Sequence, residues 1–160
     1  MKTIFVTNDD GFESAGLKAV VDALKDMARV VVVAPTTEKS ACAHSLTLTK
    51  PLRFVKLDDD FYKLDDGTPT DCVYLSKNAL FDEIYPDLII SGINKGANMG
   101  EDITYSGTAA GAMEGVLQGV PSIAISQVCN GKCEGIELFD FELAKHTLRV
   151  LVKKIFEGGF

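Results

Sequence analysis

Short uninterrupted apolar runs alternate along this chain with stretches whose apolar residues recur at helical spacing. Ile4-Phe5-Val6 is the first such run, and Ser14 is a suitable N-cap for the segment that follows. That segment places Leu17, Val20, Val21, Leu24, Met27 and Ala28 on one helical face. Val30-Val31-Val32-Val33-Ala34 is then a continuous β-branched run, closed by Pro35. Such a run suits a strand covered on both faces, as in a parallel sheet. Strand, helix and strand within about thirty residues make a βαβ unit.

The pattern repeats with interruptions. Residues 36–48 are small and polar without a clear period, and they carry Ser40, His44 and Ser45. Leu52–Leu57 and Phe61–Leu64 flank Asp58-Asp59-Asp60, which predicts a hairpin with an acidic, solvated turn; calcium at that turn is the weaker alternative. Thr68-Pro69 starts a helix with Cys72, Leu75, Ser76, Ala79 and Leu80 on one face. Leu88–Ser91 is a strand, 92–100 a glycine-rich loop, and Ser106 the cap of a helix lined by Ala109, Ala110, Gly111 and Ala112. This helix stops at Gly119, and Ser122–Ser126 is a further strand. Asp140 caps a last helix carrying Leu143, Ala144, Leu148, Leu151, Val152, Ile155 and Phe156, which Gly158-Gly159 ends. The predicted fold is α/β: a three-layer sandwich with a Rossmann-like, mainly parallel sheet and helices on both faces.

Composition narrows the setting. A chain of 160 residues with no internal repeat or linker is expected to form a single domain, 1–160. No apolar run approaches the ~20 residues of a membrane span. Met1-Lys2-Thr3 leads straight into a strand, so no secretory signal and a cytoplasmic location are expected. A net charge of −7 argues against nucleic acid as a partner, although not against a small anion drawn by a metal, backbone N–H groups, Lys39 or Lys95. The cysteines at 42, 72, 129 and 133 include one close pair only, so reduced thiols are favoured over a zinc site.

Chemistry is expected at the carboxyl ends of the parallel strands. There Asn8-Asp9-Asp10-Gly11 sets two carboxylates side by side, a repulsion that a divalent cation relieves. The same residues also make an ordinary polar turn, so this segment alone leaves both readings open. Other clusters follow strands on the same edge. Ser40 and Asn94 offer neutral oxygens, and an all-oxygen set with Asp9 and Asp10 favours Mg²⁺, Mn²⁺ or Ca²⁺ over zinc. Tyr105-Ser106-Gly107-Thr108 forms a helix N-terminus suited to phosphate, while Asn94, Asn98 and Ser106 could equally serve loop and cap.

Taken together these blocks resemble the SurE family of stationary-phase survival proteins. The resemblance rests on Asn8-Asp9-Asp10-Gly11, Val33-Ala34-Pro35 leading to Ser40, Ser45-Leu46-Thr47 and Gly67-Thr68-Pro69-Thr70-Asp71-Cys72. It also rests on Ser91-Gly92-Ile93-Asn94 with Gly96, Asn98 and Gly100, and on Tyr105-Ser106-Gly107-Thr108, and it runs to about Ser126. It implies a divalent-metal-dependent phosphatase acting on nucleoside monophosphates, and in some members on short polyphosphate. By this resemblance Asp9, Asp10, Ser40 and Asn94 match the metal ligands, with Asp9 and Asp10 catalytic. Asn98 and Ser106, Gly107 and Thr108 match positions near the phosphate. The family assembles as homodimers or homotetramers. Its members continue past Phe160 with a β-hairpin and an exchanged arm, so this chain is expected to lack both.

Two rival readings come from other classes. A response-regulator receiver also carries paired acids after its first strand, but needs an acceptor Asp and a Lys after later strands. Here Ser91-Gly92-Ile93-Asn94 and Gln127 stand instead. A dinucleotide-binding module needs G-x-G-x-x-G after the first strand, where this chain places negative charge.

Overall fold

The computed structural model describes residues 1–80, 85–128 and 139–158. Six strands form one sheet: β1 (Thr3–Thr7), β2 (Arg29–Pro35), β3 (Arg53–Asp58), β4 (Phe61–Asp65), β5 (Leu88–Lys95) and β6 (Ser122–Gln127), in the order β3-β4-β2-β1-β5-β6. Every neighbouring pair is parallel except β3 with β4. The helices are α1 (Ala15–Leu24), α2 (Pro69–Ala79), α3 (Gly107–Leu117) and α4 (Glu142–Phe156), with a 3₁₀ turn at Gly100–Thr104 before α3. This is the expected three-layer α/β fold.

Strand pleating divides the apolar residues between two cores. Ile4, Val6, Val32, Leu88 and Ile90 pack with Leu17, Val20 and Leu24 of α1 and Ala144, Leu148 and Val152 of α4. Phe5, Val31, Val33 and Ile89, pointing the other way, pack with Leu64 and with Cys72 and Val73 of α2. The α3 helix joins that second layer because it has almost no side chain on its inner face. A Cβ at Gly111 would stand 2.8 Å from the Ser91 hydroxyl oxygen, and one at Gly115 only 2.2 Å from that of Ser122. The small residues read from the sequence are therefore the reason the helix lies so close to β5 and β6.

Caps hold as expected at Ser14, Thr68 and Ser106, whose hydroxyls accept the N–H groups of Leu17, Asp71 and Ala109. Several boundaries differ. The α1 helix ends at Leu24, and the N–H groups of Met27 and Ala28 turn back to the Leu24 carbonyl, because Arg29 must enter the sheet beside Thr3. The α2 helix buries Val73 and leaves Ala79 exposed, a rotation that the apolar spacing missed. Strand β5 runs on to Lys95 instead of yielding to a loop at Gly92. A register shift between Ser91 and Asn94 lets pairing with β6 resume at Ser126 and Gln127. Gly92 is required there: its φ is 139°, and a Cβ would lie 2.4 Å from the Ile125 carbonyl oxygen. The N-cap position of α4 is Phe141, with Asp140 accepting the Glu142 N–H, and Leu143 faces solvent. Gly158, at φ 77°, follows the helix end; Gly159 lies outside the described residues, as do Cys129 and Cys133.

The acidic turn is closed by ion pairs. Arg29 makes two hydrogen bonds to Asp60, at 2.7 and 2.6 Å, and Lys56 reaches Asp59 at 2.7 Å. Among the described residues no helix is long and apolar enough to cross a membrane.

Candidate metal and phosphate site

Strand order reverses around β1, which has β2 on one side and β5 on the other. The crevice at the carboxyl ends of β1 and β5 is the switch point where open α/β sheets bind ligands. Asp9 and Asp10 leave β1 at this point, Asn94 sits near the end of β5, and the loop after β2 passes over both. A cleft of about 280 Å³ opens there, and Asp9, Ser40, Asn94, Asn98 and Ser106 all line it. Lys95 and Asp102 line it too.

The two aspartates are held differently. Asp9 is buried, and both of its oxygens are taken up by the start of α3: the Thr108 N–H donates at 3.1 Å and the Thr108 hydroxyl at 2.5 Å. A carboxylate at a helix N-terminus is favoured by the unpaired N–H groups and the positive end of the dipole. The approach depends on Gly107, where a Cβ would lie 2.8 Å from the Asp9 Cβ and 2.8 Å from the Cys42 sulfur. Asp10 is half-buried. Burial, together with the negative charges of Asp9 and Glu38, pushes its carboxyl up to about 6, against the Lys95 backbone N–H and ammonium that draw it down. An added cation in the crevice would reverse this penalty.

The neutral donors have defined neighbours. Ser40 donates its hydroxyl to Glu38 at 2.6 Å, and the loop is anchored beside it where the Lys39 N–H meets the Asp9 carbonyl at 2.7 Å. Asn94 donates its amide nitrogen to the Gly96 carbonyl at 3.2 Å, leaving its oxygen as the acceptor available to the cleft. Asn98 is braced by a 2.7 Å bond to the Ser126 hydroxyl. Two carboxylates with hydroxyl and amide oxygens fit a hard divalent cation. Among the described residues no three His, Cys, Asp or Glu side chains cluster as a metal site. Burial raises the thiol pKa of Cys42 and of Cys72, and neither is disulfide-bonded.

The helix N-terminus expected to meet a phosphate leaves fewer donors free than the sequence implied. Thr108 spends its N–H and hydroxyl on Asp9, and Ser106 takes the Ala109 N–H at 3.1 Å. Among the described residues Gly107 is the first-turn N–H of α3 left without a protein partner. Sequence reasoning missed Glu38, whose effect on Asp10 requires knowing how the loop folds back. It also missed Asp71, although Thr68-x-x-Asp71 has the spacing of a capping box. Asp71 accepts from Thr68 and twice from Thr47, tying residues 45–48 to α2.

Comparison with known proteins agrees with this fold. The model of the family described as "Survival protein SurE" matches residues 4–160. The 5'-nucleotidase SurE of a Nitratiruptor species is 64% identical over 162 residues, covering 100% of this chain and 63% of the relative. That of Helicobacter hepaticus is 65% identical, covering 100% and 61%. The crystal structure of the SurE protein from Aquifex aeolicus superimposes with a TM-score of 0.88 at 49% identity, covering 99% of this chain and 61% of that one. The chain thus spans about three fifths of the length of these relatives.

Proposed function

The chain belongs to the SurE family, and from that premise we propose that it hydrolyses nucleoside 5′-monophosphates to nucleoside and phosphate with a divalent cation. The observation that carries the reading is the pair of carboxylates at the switch point. Asp9 is fixed by Thr108, and Asp10 stands beside it with its pKa pushed up to about 6. The relatives at 64% and 65% identity are named 5'-nucleotidases, which supports the choice of substrate.

In this reading Asp9, Asp10, Ser40 and Asn94 hold the cation, Mg²⁺ or Mn²⁺. When bound it supplies positive charge to the phosphate oxygens and lowers the pKa of an attacking water. Asp9 orients, because its two hydrogen bonds leave it one rotamer. Asp10, which Thr108 does not hold, is the carboxylate left free to bind the cation and to pass a proton. Ser106, Gly107 and Asn98 face the phosphate, with the Gly107 N–H as the open donor, while Thr108 acts on Asp9. Assembly into a homodimer or homotetramer belongs to the same reading. The exposed strip Met113, Val116 and Leu117 on α3 is the surface that supports it.

Phosphate release from a panel of nucleotides tests the proposal. EDTA should stop release, and added Mg²⁺ or Mn²⁺ should restore it. No release from any nucleotide with either ion would reject it. A second result follows from Asp10. Its carboxyl must be ionised to bind a cation, and with a pKa of about 6 it is half ionised at pH 6, nearly fully ionised above about pH 7 and progressively protonated below 6. Mn²⁺ affinity should therefore be flat above about pH 7 and fall about tenfold per pH unit once well below 6. Titration calorimetry between pH 4.5 and 8 checks this, and an affinity independent of pH would remove Asp10 from the ligand set.

A further inference from the structure

The loop that brings Ser40 to the cleft is bent in a way its residues do not favour. Ala41 and Ala43 both sit at positive φ, 55° and 52°. There a Cβ crowds the neighbouring backbone, and alanine adopts the region only when its surroundings impose it. No helix or strand runs through residues 36–52 to impose it. Individual contacts must do so.

Two anchors reach buried carboxylates: Thr47 holds Asp71 of α2 farther along the loop, and His44 holds α3 directly beside the bent residues. The Ala43 N–H reaches the Tyr105 carbonyl at 3.1 Å, and the Ser45 hydroxyl reaches the Cys42 carbonyl at 2.8 Å. These are neutral bonds at a surface. His44, by contrast, places Nε2 2.8 Å from a carboxylate oxygen of Glu114, a residue only 4% exposed. The other oxygen of Glu114 accepts from the Gln118 side chain at 2.6 Å. A carboxylate buried to this degree is costly unless its oxygens are hydrogen-bonded, so the site holds His44 as firmly as His44 holds the loop. Glu114 is also a fixed post, since α3 is seated on the sheet through Gly111 and Gly115.

The same helix holds Asp9 through Thr108, six residues or about 9 Å earlier along its axis. One rigid element thus fixes both sides of the crevice. We infer that the His44–Glu114 contact is a positioning latch, which fastens the loop to α3 so that the Ser40 hydroxyl stands in register with Asp9 and Asp10. The inference rests on the cleft being a divalent-cation site. His44 itself is a positioning residue and is not among the residues that line the cleft.

Mn²⁺ titration calorimetry on the wild type, Ser40→Ala, His44→Ala, the double variant and His44→Gln tests the latch. Loss of an outer partner of a metal ligand typically weakens binding about 10- to 100-fold, and His44→Ala should fall at least about tenfold. The double variant should bind no more weakly than Ser40→Ala alone, because His44 acts through Ser40. His44→Gln should recover most of the affinity, since its amide N–H replaces the Nε2 donor to Glu114. Wild-type affinity in His44→Ala, or fully additive losses in the double variant, would overturn the latch. So would wild-type affinity in Ser40→Ala, although the two aspartates would then still stand as a cation site. A wild type that binds no Mn²⁺ would reject the cation site and the latch together.

Discussion

Replacing Asp9 with Asn is expected to abolish metal-dependent phosphate release while the domain stays folded. The Asp9 carboxylate accepts from the Thr108 N–H and from the Thr108 hydroxyl, and each oxygen keeps a lone pair directed elsewhere. An Asn side chain has one oxygen and one NH₂. Whichever way it turns, a donor faces a donor at Thr108, or the remaining oxygen serves the protein and the cation loses its charged ligand. A bound metal contributes several kcal/mol to the transition state, so a loss of at least about 10²-fold in turnover is expected. Stability should change little in comparison, because α3 keeps its Ser106 cap and its seat on β5. Turnover with saturating Mn²⁺, followed beside urea unfolding, separates the two effects. Activity within a few fold of the wild type would remove Asp9 from the site.

Leu148→Ala should be the most costly of the core truncations in α4, and it addresses a different question. Leu148 is fully buried among the residues that join α4 to α1 and to the sheet. Arg149 beside it anchors to Asp26 and to the Ala23 carbonyl at the end of α1. Removing the isobutyl group costs the lost burial plus the cavity it leaves, about 2–5 kcal/mol at such sites. A small domain has only about 5–15 kcal/mol in total, so the urea midpoint should drop sharply. Mn²⁺ affinity measured without denaturant should be unchanged, because α4 lies on the face of the sheet away from α3. A midpoint close to the wild type would mean that α4 is not part of the cooperative unit.

The cleft was legible in the sequence to the extent that residue type and strand end determine it. Asp9 and Asp10 after an apolar run, Ser40 after the next, and Asn94 after another are placed by one rule, since parallel strands bring their carboxyl ends to one edge. Ser106 could be read as a cap because capping is local. The different settings of the two aspartates were not legible. It depends on Thr108 reaching Asp9 across 99 positions of sequence and on Glu38 folding back toward Asp10. The extension of β5 to Lys95 was hidden for a similar reason. Glycine and asparagine read as loop until β6 supplies partners beyond the register shift.

Periodicity alone therefore determined the α/β class, the strand and helix order, and most of the buried apolar residues, though not the burial of Val73 or the exposure of Ala79 and Leu143, because burial on a strand or helix repeats with that element's own geometry. Composition and spacing alone brought four oxygen-bearing residues to one sheet edge. Only the tertiary structure decided how those residues are held there. Whether Thr108 serves phosphate or Asp9, how far the Asp10 pKa rises, and whether His44 points to solvent or to Glu114 depend on side chains from distant elements meeting in a desolvated crevice. Their energies are set by distance and burial, which the order of residues does not record.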